Sequence, residues 1–150
     1  MARRRVLAIA SGGGHWMQLT LLGPAFDGHD VTWATTLPGL AAQAGLAPAH
    51  VIPDCNRDTP LRIAACTAVL AALLARLRPQ VVLSTGALPG VIAMGLARAM
   101  GARTIWVDSI ANAEEMSASG RLARRVATHR LSQWPDVARA EGAEHAGSVL

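Results

Sequence analysis

The sequence predicts an α/β fold, a mainly parallel sheet covered by helices on both faces. Three observations carry that expectation. Short unbroken apolar runs, such as Val6-Leu-Ala-Ile-Ala10, read as strands buried on both faces of a parallel sheet. These runs alternate with segments of helical period along the whole chain, as in consecutive strand–helix–strand units. With 51% hydrophobic and 16% charged residues in 150, the composition supplies one substantial core, so a single domain spanning 1–150 is expected.

The first strand covers 6–10 and ends in a glycine cluster. A helix over 15–22 follows, placing Trp16, Leu19 and Leu22 at helical spacing until Gly23-Pro24 breaks the pattern. Residues 31–34 predict a second strand, 37–47 a short helix entered near Pro38, and 50–53 a weak third strand. The segment 62–78 predicts a helix, being rich in Ala and Leu, free of Gly and Pro, and closed by Pro79. A strand over 80–84, a glycine-containing turn, and a helix over 91–100 with Gly101 at its C-cap come next. The remainder reads as a strand at 104–107, a polar stretch over 108–119, a helix over 121–128 and a last short strand over 129–132. Ligands of such a sheet bind beyond the carboxyl ends of its strands.

Composition excludes several function classes. Four Trp, one Phe and no Tyr leave few stacking platforms, so nucleic acid is not an expected partner. All fourteen cationic side chains are Arg, which favours phosphate or anionic lipid as a partner. Cys55 and Cys66 stand apart from any zinc-type spacing and cannot build a disulfide framework, which fits a reducing, cytoplasmic setting. The apolar run after Arg3-Arg4-Arg5 is too short for a signal peptide, and the thirteen-residue run 63–75 is too short for a membrane span.

The chemistry is expected in the turns. Ser11, Gly12, Gly13 and Gly14 sit where strand meets helix, so backbone N–H groups and the helix dipole can hold a phosphate-bearing anion. The dinucleotide pattern fails because Met17 stands where a third glycine is required, and without any lysine there is no P-loop. His15 follows at the helix start, where it either accepts a proton from a substrate hydroxyl or serves as an ordinary first-turn histidine. Thr85 and Gly86 repeat the small-residue design after a later strand, as a second wall of one cleft or as a plain connector. Asp108 and Ser109 close the next strand at the same edge, with Asn112 and Glu114 adding polar reach. Asp108 reads either as a base or sugar ligand, or as a capping carboxylate. There is no D-x-D sequence and no G-x-S-x-G elbow, so neither a metal-held nucleotide nor a serine hydrolase is indicated.

Taken together, Ser11-Gly-Gly-Gly-His15, Ser84-Thr-Gly86 with Pro89-Gly90, the segment from Gly101 to Ser109, Ser117-Ala-Ser-Gly120 and Gln133-Trp-Pro135 resemble a known family. They look like the acceptor-side, membrane-anchoring subunit of split GT-B UDP-sugar glycosyltransferases. That family includes PssD-like and CpsF-like bacterial polysaccharide proteins and the membrane-anchoring subunit of the dolichol-linked UDP-N-acetylglucosamine transferase. The glycine–histidine loop is shared more widely, with the N-terminal half of the lipid-linked peptidoglycan N-acetylglucosaminyltransferase.

The resemblance implies a Rossmann-like domain equivalent to the N-terminal half of a GT-B glycosyltransferase. It implies an inverting, metal-independent hexosyltransferase subunit with no cofactor, using a UDP-sugar of GlcNAc or glucuronic acid type as donor. The acceptor would be a lipid-diphosphate-linked sugar of capsular or exopolysaccharide synthesis. A small UDP-sugar-binding subunit would be its obligate partner. It places His15 and Asp108 as catalytic candidates, and Ser11, Gly12, Gly13, Gly14, Thr85, Gly86, Ser109, Asn112 and Glu114 along the substrate cleft. Asp108 stands where many relatives carry Glu, which keeps the carboxylate and shortens its reach. Eukaryotic relatives begin with a membrane helix, whereas here the first strand follows Arg5 directly, so contact with the inner face of the plasma membrane is expected to be peripheral. The helices over 62–78 and 91–100 either place one face in an anionic leaflet or are core helices with solvated ends. A non-catalytic scaffold recruiting a transferase to the membrane is the alternative function.

Overall fold

The computed structural model describes residues 2–149. Its elements are β1 (Arg5–Ala10), α1 (Gly14–Leu21), β2 (Asp30–Thr35), α2 (Leu40–Gln43), β3 (Ala49–Val51), α3 (Pro60–Leu77), β4 (Val81–Gly86), α4 (Leu88–Ala99), β5 (Arg103–Val107), α5 (Ala118–Ala123), β6 (His129–Leu131) and α6 (Pro135–Glu141), with a 3-10 turn at Gly23–Phe26. The six strands form one sheet in the order β3-β2-β1-β4-β5-β6, and every pairing is parallel. The order reverses at β1, so the turns after β1 and β4 open side by side at the carboxyl edge.

Strand alternation divides the core between two faces. In β1, Leu7 and Ile9 join Leu70, Leu74, Val82, Met94 and Trp106 beneath α3 and α4. Val6, Ala8 and Ala10 point the other way, toward Trp16, Leu19, Phe26 and Trp33. Trp33 meets Trp16 and Phe26 edge to face, at centroid separations of 6.0 and 5.4 Å. The scarce aromatics are thus spent mostly on packing, and Trp134 alone among the four Trp is substantially exposed, at 37%.

Several expected boundaries move. The helix expected over 37–47 is reduced to four residues, because Gly39 (φ 84°) and Gly45 (φ 68°) turn the backbone left-handed at both ends. Pro89 and Gly90, read as turn residues, belong to the first turn of α4, where proline loses no hydrogen bond. Thr85 and Gly86 likewise belong to β4. Ser117 accepts the Gly120 N–H and starts α5 at Ala118, and the helix stops at Ala123 instead of continuing to 128. Helix α6 was not anticipated. The apolar run 63–75 is part of an 18-residue helix that is long and apolar enough to cross a membrane, with a mean hydropathy of 1.6, which corrects the expectation from the run alone. Here α3 packs Cys66, Leu70, Leu73 and Leu74 onto the sheet and leaves Leu61 and Val69 outward.

Candidate functional site

The loop after β1 is built by glycine for steric reasons. Gly13 has φ 84° and immediately precedes α1, a conformation that side chains resist. Gly12 lies against Leu37, where a Cβ would come within 2.3 Å of Leu37 Cδ1, and its N–H donates to Thr36 Oγ1 at 3.0 Å. The ends of β1 and β2 are thereby held together.

His15 joins this loop to the end of β4. Thr85 Oγ1 donates to the His15 carbonyl at 2.6 Å, and the imidazole lies so close to Gly86 that a Cβ there would sit 2.0 Å from Nδ1. Ser84 Oγ accepts the Gly86 N–H at 3.3 Å, and a Cβ on Gly90 would come within 2.0 Å of that same oxygen. The first turn of α4 is therefore pressed onto the strand end. Ala87, between β4 and α4, takes φ 70° and ψ 167°, a region normally occupied by glycine.

Among the described residues, two buried side-chain polar atoms have no hydrogen-bond partner: His15 Nδ1 and Thr35 Oγ1. Both belong to this edge, one in the first turn after β1 and the other at the end of β2 opposite Ala10. Buried polar groups are paired in nearly all native structures, so two orphans beside one glycine loop set this edge apart from the rest of the fold.

Asp108 follows β5 at the same edge. It is 1% exposed, and its carboxylate accepts four hydrogen bonds. Oδ1 takes Trp106 Nε1 (3.0 Å) and Ser117 Oγ (2.6 Å), while Oδ2 takes Asn112 Nδ2 (3.0 Å) and the Ser117 N–H (3.0 Å). Gly120 seals the site, since a Cβ there would approach Oδ1 to 2.6 Å. Through these bonds Asp108 ties together the 108–117 loop. Asn112 is committed to that carboxylate, Ser109 Oγ accepts from Gln18 Nε2 at 2.9 Å, and Glu114 is exposed.

Two residues missed by the sequence reading tie α1 to this loop. Gln133, 4% exposed, donates through Nε2 to Gln18 Oε1 (2.7 Å) and to the Asp108 carbonyl (2.9 Å). Gln18 Oε1 also accepts the Ile110 N–H at 3.1 Å. Gln133 stood within the Gln-Trp-Pro segment of the resemblance, but nothing local announced its pairing with a residue 115 positions away. A cleft of about 790 Å³ opens beside the site between the loop after β3 and the starts of α4 and α5, lined by Arg57, Asp58, Ile63, Ala87, Leu88 and Ser119 among others. Among the described residues, no group of three or more His, Cys, Asp or Glu side chains converges to hold a metal ion.

No family model and no curated protein matches the chain. Solved structures do. MurG of Acinetobacter baumannii superposes with a TM-score of 0.74 at 18% identity, over 89% of this chain and 43% of that one. A putative UDP-N-acetylglucosamine 2-epimerase of Listeria monocytogenes matches at 0.70 and 14%, over 96% and 43%, and a glycosyltransferase of Rickettsia africae at 0.66 and 10%, over 96% and 41%. The chain spans less than half the length of each. At these identities the likeness concerns the fold: the chain has the Rossmann-like fold of one half of a GT-B protein, the architecture of these UDP-sugar epimerases and glycosyltransferases.

Proposed function

We propose that this chain is the acceptor-side half of an inverting glycosyltransferase, acting with a small UDP-sugar-binding subunit on a lipid-diphosphate-linked sugar of polysaccharide synthesis. The observation that carries the reading is the junction of the two small-residue loops, with the His15 imidazole, its Nδ1 buried and unpartnered, held between them. Support also comes from the fold, which the chain shares with MurG and a glycosyltransferase.

In this reading His15 takes the proton of the acceptor hydroxyl as that oxygen bonds to C1 of the donor sugar, the C1–O bond breaks, and UDP departs with the electron pair. The N–H groups of the glycine loop and the α1 N-terminus stabilise diphosphate charge. No cofactor takes part, and Asp108 acts only by holding the loop that carries Ser109. Contact with the inner face of the plasma membrane is peripheral.

The test is to recover the tagged chain from gently solubilised source cells, identify co-purifying subunits, and assay transfer from UDP-sugars to lipid-diphosphate acceptors. A nucleotide-sugar-binding partner in near-equal amount, with transfer lost in His15→Ala, is the expected result. Full transfer by His15→Ala with the partner still bound assigns the scaffold role instead. Recovery of the chain alone after crosslinking, or 2-epimerisation of UDP-GlcNAc without acceptor, overturns the proposal.

A further inference from the structure

The opposite edge of the sheet carries a feature that sugar transfer does not use. Arg4 precedes β1, Arg5 opens it, Arg103 opens β5, and Arg78 ends α3 just before β4, so the topology gathers four guanidinium groups at the amino-terminal edge. They line one cleft of about 570 Å³ together with Gln80, Met100 and Gly101, and no acidic side chain lines it. That volume is within the usual range for small-molecule sites, about 300–1,000 Å³.

The arginines are partly organised. Arg5 Nε donates to the Arg78 carbonyl at 2.9 Å and the Arg5 N–H to Gln80 Oε1 at 3.0 Å, which fixes the Arg5 stem against the β4 entry. Asp30, on the far side of Arg5, is held by Arg3 and offsets that charge instead. The carboxyl ends of α3 and α4 also face this edge and contribute about −0.5 charge each, so four arginines still leave about +3. Acidic groups concentrate elsewhere: Asp54, Asp58, Asp108, Glu114 and Glu115 all lie in turns at the carboxyl edge.

We infer that this cleft is a second anion site, remote from the transfer site, that takes a phosphate-rich ligand, either a free di- or polyphosphate or the headgroup of an anionic lipid. Guanidinium forks match phosphate oxygens two at a time, and four of them around one cleft outnumber what a single monoanion requires. The inference does not rest on the transferase reading.

The test uses the full chain at about 150 mM salt, where weak surface attraction is screened beyond roughly 8 Å. Inorganic pyrophosphate is titrated calorimetrically, and sedimentation is measured with phosphatidylglycerol and with phosphatidylcholine vesicles. Arg78→Gln/Arg103→Gln is compared with Arg62→Gln/Arg139→Gln, which removes the same charge from other exposed positions. Circular dichroism checks that each variant folds; Arg103→Gln alone replaces the cleft variant, and Arg139→Gln alone the control, where the double variant does not fold.

The expected result is binding of at least one probe, weakened at least tenfold in the cleft variant and less than twofold in the control. Pyrophosphate binding alone assigns a free ligand, and selective phosphatidylglycerol binding assigns a lipid headgroup. Equal losses in both variants, pyrophosphate binding that survives the cleft variant, or no binding by the wild type overturns the inference.

Discussion

The contact between His15 and Gly86 can be tested without knowing the substrate. In Gly86→Ala the new Cβ starts 2.0 Å from His15 Nδ1, 2.3 Å from Cγ and 2.5 Å from Cε1. An ordinary contact is at least 3.4 Å, so the ring must retreat by about 1.4 Å. Gly86 is not among the glycines with positive φ, so the cost is steric and not a backbone penalty. Overpacking of this kind costs about 1–3 kcal/mol. His15→Ala should be nearly neutral, within about 1 kcal/mol, because the nitrogen it removes is buried without a partner. In the His15→Ala background the obstacle is gone, so Gly86→Ala should then cost much less, giving a coupling of about 1–2 kcal/mol. Urea unfolding of the four proteins, with unchanged m-values as the check on two-state behaviour, measures it. Additivity within about 0.5 kcal/mol would refute the argument that the two loops are locked through this ring. If the lock is real, Gly86→Ala should also lower any His15-dependent transfer by about a hundredfold, since a displacement near 1 Å is enough to misplace a base.

The remaining predictions concern other parts of the fold. Asp108→Asn turns an N–H2 toward two donors whichever oxygen it replaces, so it should destabilise by about 2–4 kcal/mol, read by urea unfolding followed through tryptophan fluorescence. Full stability in this variant would remove Asp108 from its role as loop organiser. Ala87→Gly relieves the φ 70° backbone and should raise the thermal midpoint by a few degrees, about 1 kcal/mol after the entropy cost of glycine; a lower midpoint would contradict the strain. Burial pushes the Cys66 thiol up to about 12 and the Cys55 thiol up from its usual value. Neither thiol should react with iodoacetamide at neutral pH until the chain unfolds. Because the unfolded thiols lose protons first as pH rises, their contribution to stability is intact below about pH 9 and declines above it. Rapid labelling of the native chain would show that the pair is accessible.

Order of elements was legible because local patterns report it. Apolar runs, the Pro79 stop and the glycine turns placed all six strands within a residue or two, and α3 and α4 within a few. Misplacements arose where one short segment suits two structures: Pro89-Gly90 reads as a turn, yet serves as a helical first turn once Ser84 packs against it. The candidate site was legible as a pair of loops, since glycine and small residues at strand ends are a local signal.

What each side chain touches there depends on the tertiary structure. In the chain His15 read as the best-placed catalytic candidate and Asp108 as a second one. Packing placed the carboxylate against Trp106, Asn112 and Ser117, which use both of its oxygens, and left the imidazole nitrogen without a partner. The Gln18–Gln133 pair and the arginine cleft likewise join residues far apart in the chain. The sequence by itself determined the strand–helix alternation, the glycine loop and the Arg-only basicity, all properties of neighbouring residues or of composition. Hydrogen-bond partners, orphaned groups and charge clusters depend on distances that exist only after parallel strands have brought remote segments together.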